Sequence, residues 1–147
     1  MYARILVAID GSPTSDRALQ EAIAFAKDQK AKLRLVHVID KTPMVREYGD
    51  FVDNEEIYEM FSKTGQKIME DGLAQIRKAG MVAESALLET IEKRIADMII
   101  GEAKRWPAEL VVVGTHGRHG IEHFLLGSVA EGVSRIASQP VLLIHGS

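Results

Sequence analysis

The sequence predicts an α/β fold: a five-stranded parallel sheet with helices on both faces. Two observations along the chain predict it. Short, nearly continuous apolar runs alternate with amphipathic stretches of helical period, and the runs are apolar enough to be covered on both sides. A third lies in residues 111–134, VVVGTHGRHGIEHFLLGSVAEGVS. Here an apolar strand breaks at Gly114, passes through a Gly- and His-rich loop, and enters a helix at Gly127 and Ser128.

Arg4 to Ile9 is the first strand. It stops at Asp10-Gly11-Ser12-Pro13, a turn that hands over to a helix with Ser12 as N-cap and Pro13 at the first helical position. Ala18, Leu19, Ala22, Ile23, Phe25 and Ala26 then recur at helical spacing. Leu33 to Ile39 is the second strand, apolar apart from Arg34 and His37, and His37 reads as a core or edge residue. Residues 40–54 carry Pro43, Gly49 and scattered charges without a period, so a long connection is expected, a candidate flap over a site. Asp53 or Asn54 can cap a long helix with Ile57, Phe61, Ile68, Leu73 and Ile76 on its apolar face and Gly80 at its C-terminal cap.

Val82 to Leu88 is a weaker third strand, and Ile91 to Trp106 a third helix with Ile95, Met98, Ile99 and Ala103 inward and Pro107 blocking its continuation. Leu110 to Val113 is the fourth strand, Ser128 to Ser138 the last helix and Val141 to His145 the fifth strand, where His145 reads as a core or edge residue. Right-handed crossovers between parallel strands place ligands beyond the strand C-terminal ends, where the strand order reverses. That rule gathers Asp10 to Ser12, Val38 to Asp40 and Gly114 to Arg118, and gives the order 3-2-1-4-5 with the first and fourth strands bordering a crevice.

At 147 residues one domain is expected, spanning 1–147 and able to bury about two-thirds of the surface of its unfolded chain. The absence of cysteine excludes disulfides, thiolate metal sites and cysteine nucleophiles. The first residues are too short an apolar run for a signal peptide, and no stretch approaches a membrane span, so a cytoplasmic protein is expected. The net charge of −3, from 18 basic and 21 acidic residues without a polybasic block, argues against nucleic acid and anionic membrane as partners.

A strand, a glycine loop and a helix N-terminus form an anion site, because the unpaired N–H groups of the first helical turn and the macrodipole both favour phosphate. The spacing is Gly114, two residues, Gly117, nine residues, then Gly127 and Ser128; it is neither a P-loop nor the dinucleotide G-x-G-x-x-G. An alternative is two glycine turns and an ordinary N-cap that serve packing alone. In this pattern the chain resembles the universal stress protein family, whose ATP-binding members carry G-x2-G-x9-G-[S/T] between fourth strand and last helix. The resemblance extends to VAIDGS after the start, LVHVID in the second strand and PVLLI at the end.

It implies a Rossmann-like sandwich with the same strand order and a homodimer formed through the edge strand Val141 to His145. It also implies an adenine nucleotide, ATP with Mg2+, against Ala8, Asp10, Val38, Gly114, Thr115, His116, Gly117, Arg118, Gly127, Ser128 and Val129. Asp10 would lie near the ribose or a phosphate-bound metal, or else only satisfy turn amides. Val38 would meet the adenine through its backbone, and Ser128 would double as the helix cap. Arg118 has the fork geometry for phosphate oxygens, or is a solvated loop charge. Many family members carry a glycine just after the third strand, where this chain has Glu89-Thr90-Ile91.

His116, His119 and His123 form H-x2-H-x3-H, which could hold zinc on a continuous helix, but Gly117 and Gly120 interrupt it and no metal site is assigned. The function expected is a nucleotide-binding stress-response module. Two other classes stand beside it: a slow ATPase or phosphotransferase, and a partner-binding dimer with an empty pocket. One loop arginine, no loop lysine and no paired carboxylate are little for phosphoryl transfer, so no catalytic residue is assigned.

Overall fold

Along β1 (Arg4–Ala8), Ile5 and Val7 turn to one face of the sheet and Leu6 to the other, and all three are fully buried. Both faces of the strand are therefore covered, which is why the run reads as uniformly apolar. The computed structural model describes residues 1–48, 55–116 and 126–146. Its further elements are α1 (Pro13–Gln29), β2 (Lys32–Asp40), α2 (Thr42–Tyr48), α3 (Glu55–Lys78), β3 (Glu84–Thr90), α4 (Ile95–Arg105), β4 (Leu110–Gly114), α5 (Ser128–Ile136) and β5 (Val141–Ile144).

The strands are parallel in the order β3-β2-β1-β4-β5, as the crossover rule predicts. On one face Leu33 and Leu35 of β2 pack with Leu19 and Ala22 of α1 and Ile76 of α3. On the other, Val36, Val38, Val111 and Val113 pack with Ile99 and Ala103 of α4 and Val133 of α5. Among the described residues no helix is long and apolar enough to cross a membrane.

The local signals act as their chemistry suggests at the start of α1 and at the end of α3. Ser12 is extended and its hydroxyl accepts from Ser15 N–H at 3.1 Å, while Pro13 opens α1. Gly80, with φ of +81°, closes α3, its N–H donating to Arg77 O at 2.9 Å. α3 lays two glycines on the sheet. A Cβ at Gly65 would stand 2.5 Å from Ile39 Cδ1, and one at Gly72 would stand 2.8 Å from Ile9 Cδ1 and Leu35 Cδ2.

Several boundaries differ from expectation. The segment expected to be irregular after residue 40 contains α2, whose first amide, Thr42 N–H, donates to Asp40 Oδ1 at 2.9 Å. Seven residues are too few for a helical period to stand out. The expected cap at Asp53 or Asn54, and the rest of the expected flap, lie outside the described residues. β3 starts and ends two residues later than expected, because its pairing with β2 runs from Arg34↔Glu84 to Asp40↔Thr90 and leaves Val82 exposed.

Helix α4 begins at Ile95 rather than Ile91. Glu92 adopts φ of +72° and Thr90 Oγ1 donates to Lys93 O at 3.1 Å, so a turn occupies the residues between. The last helix stops at Ile136 because Ala137 is extended. β5 ends at Ile144, leaving His145 exposed just beyond it, not in the core or the strand.

Candidate functional site

The crevice lies where the sequence places it, beyond the carboxyl ends of β1 and β4, and opens into a cavity of about 660 Å3. Cavities of roughly 300 to 1,000 Å3 hold small ligands and cofactors. Its floor is made by strand ends. Ala8 and Asp10 come from β1 and its turn, Val38 from β2, and Gly114, Thr115 and His116 from β4. The opening of α5 supplies Gly127, Ser128 and Val129. Nine of the eleven expected site residues thus line one cavity; Gly117 and Arg118, with His119 and His123, lie outside the described residues.

At Asp10 the turn reading holds: its Oδ1 accepts from Ser12 N–H at 2.9 Å, and its own N–H donates to Ser15 Oγ at 2.9 Å. Gly11 makes this tight turn possible with φ of +82°. Asp10 also lines the cavity.

Thr115 sets the geometry on the opposite side. It is 1% exposed; its N–H donates to Ile144 O at 2.9 Å and its carbonyl accepts from Gly127 N–H at 2.7 Å. These two bonds fix the N-terminus of α5 beside the end of β4. Gly127, not Ser128, is the N-cap: it is extended, its carbonyl accepts from Glu131 N–H at 2.9 Å, and as a glycine it has no side chain with which to cap the helix. The expected capping role of Ser128 is therefore corrected. Ser128 is the first helical residue, exposed and lining the cavity.

His116 is held through Nδ1, 3.1 Å from Thr115 Oγ1. Its Nε2 is buried and has no hydrogen-bond partner among the described residues.

Sequence reasoning missed one wall. His37, expected as a core or edge residue, is only 8% exposed yet lines the cavity, its Nδ1 lying 2.7 Å from Ile9 O. Met60, Phe61, Thr64 and Gly65 of α3 add to the same side, which Pro43 of α2 joins from within the segment expected as a flap over the site. A histidine at the carboxyl end of an otherwise apolar strand was the available signal for the first. Nothing local marks the α3 residues, whose place depends on how closely Gly65 lets the helix approach Ile39. Among the described residues no group of three or more His, Asp or Glu side chains is arranged to hold a metal ion.

The whole chain has relatives. It matches the universal stress protein family over residues 1–145. It is 34% identical over 153 aligned positions to universal stress protein YxiE of Bacillus subtilis (strain 168), covering 99% of this chain and 100% of that protein. A solved universal stress protein from Archaeoglobus fulgidus, in complex with dAMP, superposes with a TM-score of 0.68 at 28% identity, covering 97% of this chain and 98% of the other. A universal stress protein solved in complex with cAMP gives a TM-score of 0.73 at 25% identity, covering 99% of this chain and 98% of the other. Sheet order, crevice and full-length similarity agree, and the chain belongs to the universal stress protein family.

Proposed function

We propose that this protein binds an adenine nucleotide, ATP with Mg2+, in the β1–β4 crevice, and acts as a homodimeric regulatory module in the response to stress. The observation that carries the reading is one cavity lined by the ends of β1 and β4 and by the first residues of α5, whose N-terminus the bond from Gly127 N–H to Thr115 O fixes beside them. The helix N-terminus favours the ligand's phosphate.

The rest of the cavity suits the same ligand class. Its wall combines apolar side chains such as Val38, Met60 and Phe61 with a few polar groups, the usual composition of a nucleotide pocket. Asp10 is the residue assigned to the ribose or to a phosphate-bound Mg2+, and Gly114, Gly127, Ser128 and Arg118 to the phosphates. The two relatives solved with dAMP and cAMP support the adenine and phosphate chemistry that these ligands share with ATP.

The dimer rests on β5. It is an edge strand whose Val141, Leu142, Leu143 and Ile144 are each only partly buried, an apolar edge that a second copy would cover.

Titration calorimetry with ATP, AMP and cAMP, with and without Mg2+, tests the ligand, and analytical ultracentrifugation tests the dimer. We expect one nucleotide per chain, ATP tightened by Mg2+, and GTP bound weakly. Protein that is folded by circular dichroism but gives no heat with any adenine nucleotide would end this reading.

A further inference from the structure

Lys41 is the residue immediately after β2, and it is only 2% exposed. An isolated ammonium is strongly disfavoured in such a place, so its surroundings explain why it is there. Its N–H donates to Thr90 O at 2.8 Å, continuing the β2–β3 ladder by one bond. Its side chain runs beneath the first turn of α3, where Nζ lies 3.3 Å from the centroid of the Tyr58 ring. The same Nζ stands 2.9 Å from Glu89 Oε2 of β3, a close ion pair that lacks the alignment of a hydrogen bond. Tyr58 completes the triangle by donating its hydroxyl to Glu89 Oε2 at 3.3 Å.

Three elements therefore meet on one buried cation: the end of β2, the end of β3 and the start of α3. Residues on both sides of these contacts line the cavity. Asp40 precedes Lys41 and Pro43 follows it by two, while Met60, Phe61 and Thr64 follow Tyr58 within two turns of α3. A second link holds α2 to the segment after β3, where Glu92 N–H donates to Thr42 Oγ1 at 2.8 Å.

We propose that Lys41, Tyr58 and Glu89 form a clasp that fixes the α3 wall of the cavity, and that Lys41 and Tyr58 are positioning residues which set how long a bound nucleotide stays. The clasp rests on the nucleotide reading for its consequence, though not for its geometry. A cation held over an aromatic ring and away from water is attracted far more strongly than an exposed ion pair. Burial alone would lower the Lys41 pKa, but the contacts with Tyr58 and Glu89 outweigh it and raise it above the ordinary 10.5, so the cation persists at neutral pH. Opening the α3 wall means separating these contacts, and dissociation of a ligand behind that wall is slowed accordingly.

The test compares the full chain with Lys41→Met, Tyr58→Leu and Lys41→Arg variants. Dissociation of a fluorescent N-methylanthraniloyl adenine nucleotide is followed by stopped flow, and amide hydrogen exchange is followed over residues 55–64. Loss of the clasp is expected to accelerate dissociation about tenfold in Lys41→Met and Tyr58→Leu, with Lys41→Arg, which keeps the cation, near the parent rate. Exchange over the first turns of α3 is expected to quicken in the same two variants and not elsewhere. Dissociation and exchange within about twofold of the parent protein in folded Lys41→Met and Tyr58→Leu would overturn the proposal.

If Lys41→Met does not fold, Tyr58→Leu decides alone, since that side chain is 42% exposed and its loss leaves the core intact. If the parent protein binds no adenine nucleotide, the functional reading fails and exchange decides the clasp: faster exchange over 55–64 supports it, and unchanged exchange overturns it.

Discussion

Gly114, the first glycine of the loop pattern, stands against Thr14 of α1: a Cβ there would lie 2.9 Å from Thr14 Cγ2 and 3.3 Å from the Thr14 carbonyl carbon. Close packing of α1 on the end of β4 therefore requires this glycine, whatever the cavity holds. The Gly114→Ala variant is expected to lose about 1 to 3 kcal/mol of stability by overpacking, read as a shift in the urea midpoint. A midpoint equal to the parent's would show that Thr14 moves freely aside.

Gly65 is a second such contact, and it sits in mid-helix. Alanine would favour the helix by about 1 kcal/mol, yet its methyl would collide with Ile39 Cδ1, which is buried. Gly65→Ala is expected to be net destabilising by about 1 to 2 kcal/mol and to weaken any ligand in the adjoining cavity. Equilibrium denaturation and calorimetry on the same preparation check both effects.

His116 is the residue whose loss should be felt by ligand more than by fold. Replacing it with Phe removes Nε2 while keeping an aromatic ring of similar breadth. We expect adenine-nucleotide affinity to fall about tenfold, the value of one hydrogen bond, with a smaller loss of stability because Phe also gives up the Nδ1 contact with Thr115 Oγ1. Unchanged affinity in titration calorimetry would remove His116 from the contact.

Glu102 of α4, at the opposite end of the sheet from the cavity, predicts a pH dependence. It is 3% exposed and paired with Arg34 Nη2 at 2.8 Å and with Arg105, while Arg34 lies 5.6 Å from the centre of the Trp106 ring. Burial alone would raise its pKa, but hydrogen bonds from Arg105 and Arg34 outweigh it and hold the carboxyl below its ordinary 4.5. A lowered folded value means that this stabilisation is present in full above 4.5 and is lost as the pH falls through the folded value. Glu102→Gln is expected to be about 2 to 3 kcal/mol less stable at neutral pH, with the gap to the parent narrowing in acid. Denaturant melts across that range read the gap directly.

The strand order, the crevice and most of the cavity floor could be read from the sequence because they follow from local signals. β1, β2 and β4 are apolar on both faces, Ser12 and Pro13 open α1, and Gly80 closes α3. What could not be read depends on contacts far apart in the chain. α2 is too short to show a period, and the N-cap of α5 is decided by the bond between Thr115 and Gly127, not by the hydroxyl of Ser128. Gly65 and Gly72 look like weak points in a helix until Ile39, Ile9 and Leu35 are placed opposite them. Lys41 reads as one more surface charge in a loop; only the fold brings Tyr58 and Glu89 to it.

The claim that the cavity takes an adenine nucleotide is tested most directly by native mass spectrometry of the purified protein, before and after addition of Mg-ATP, with denaturation to release and identify whatever is bound. One adenine nucleotide per chain, in a dimer, is the expected result. A dimer or monomer whose mass stays that of the bare chains in excess Mg-ATP would contradict it.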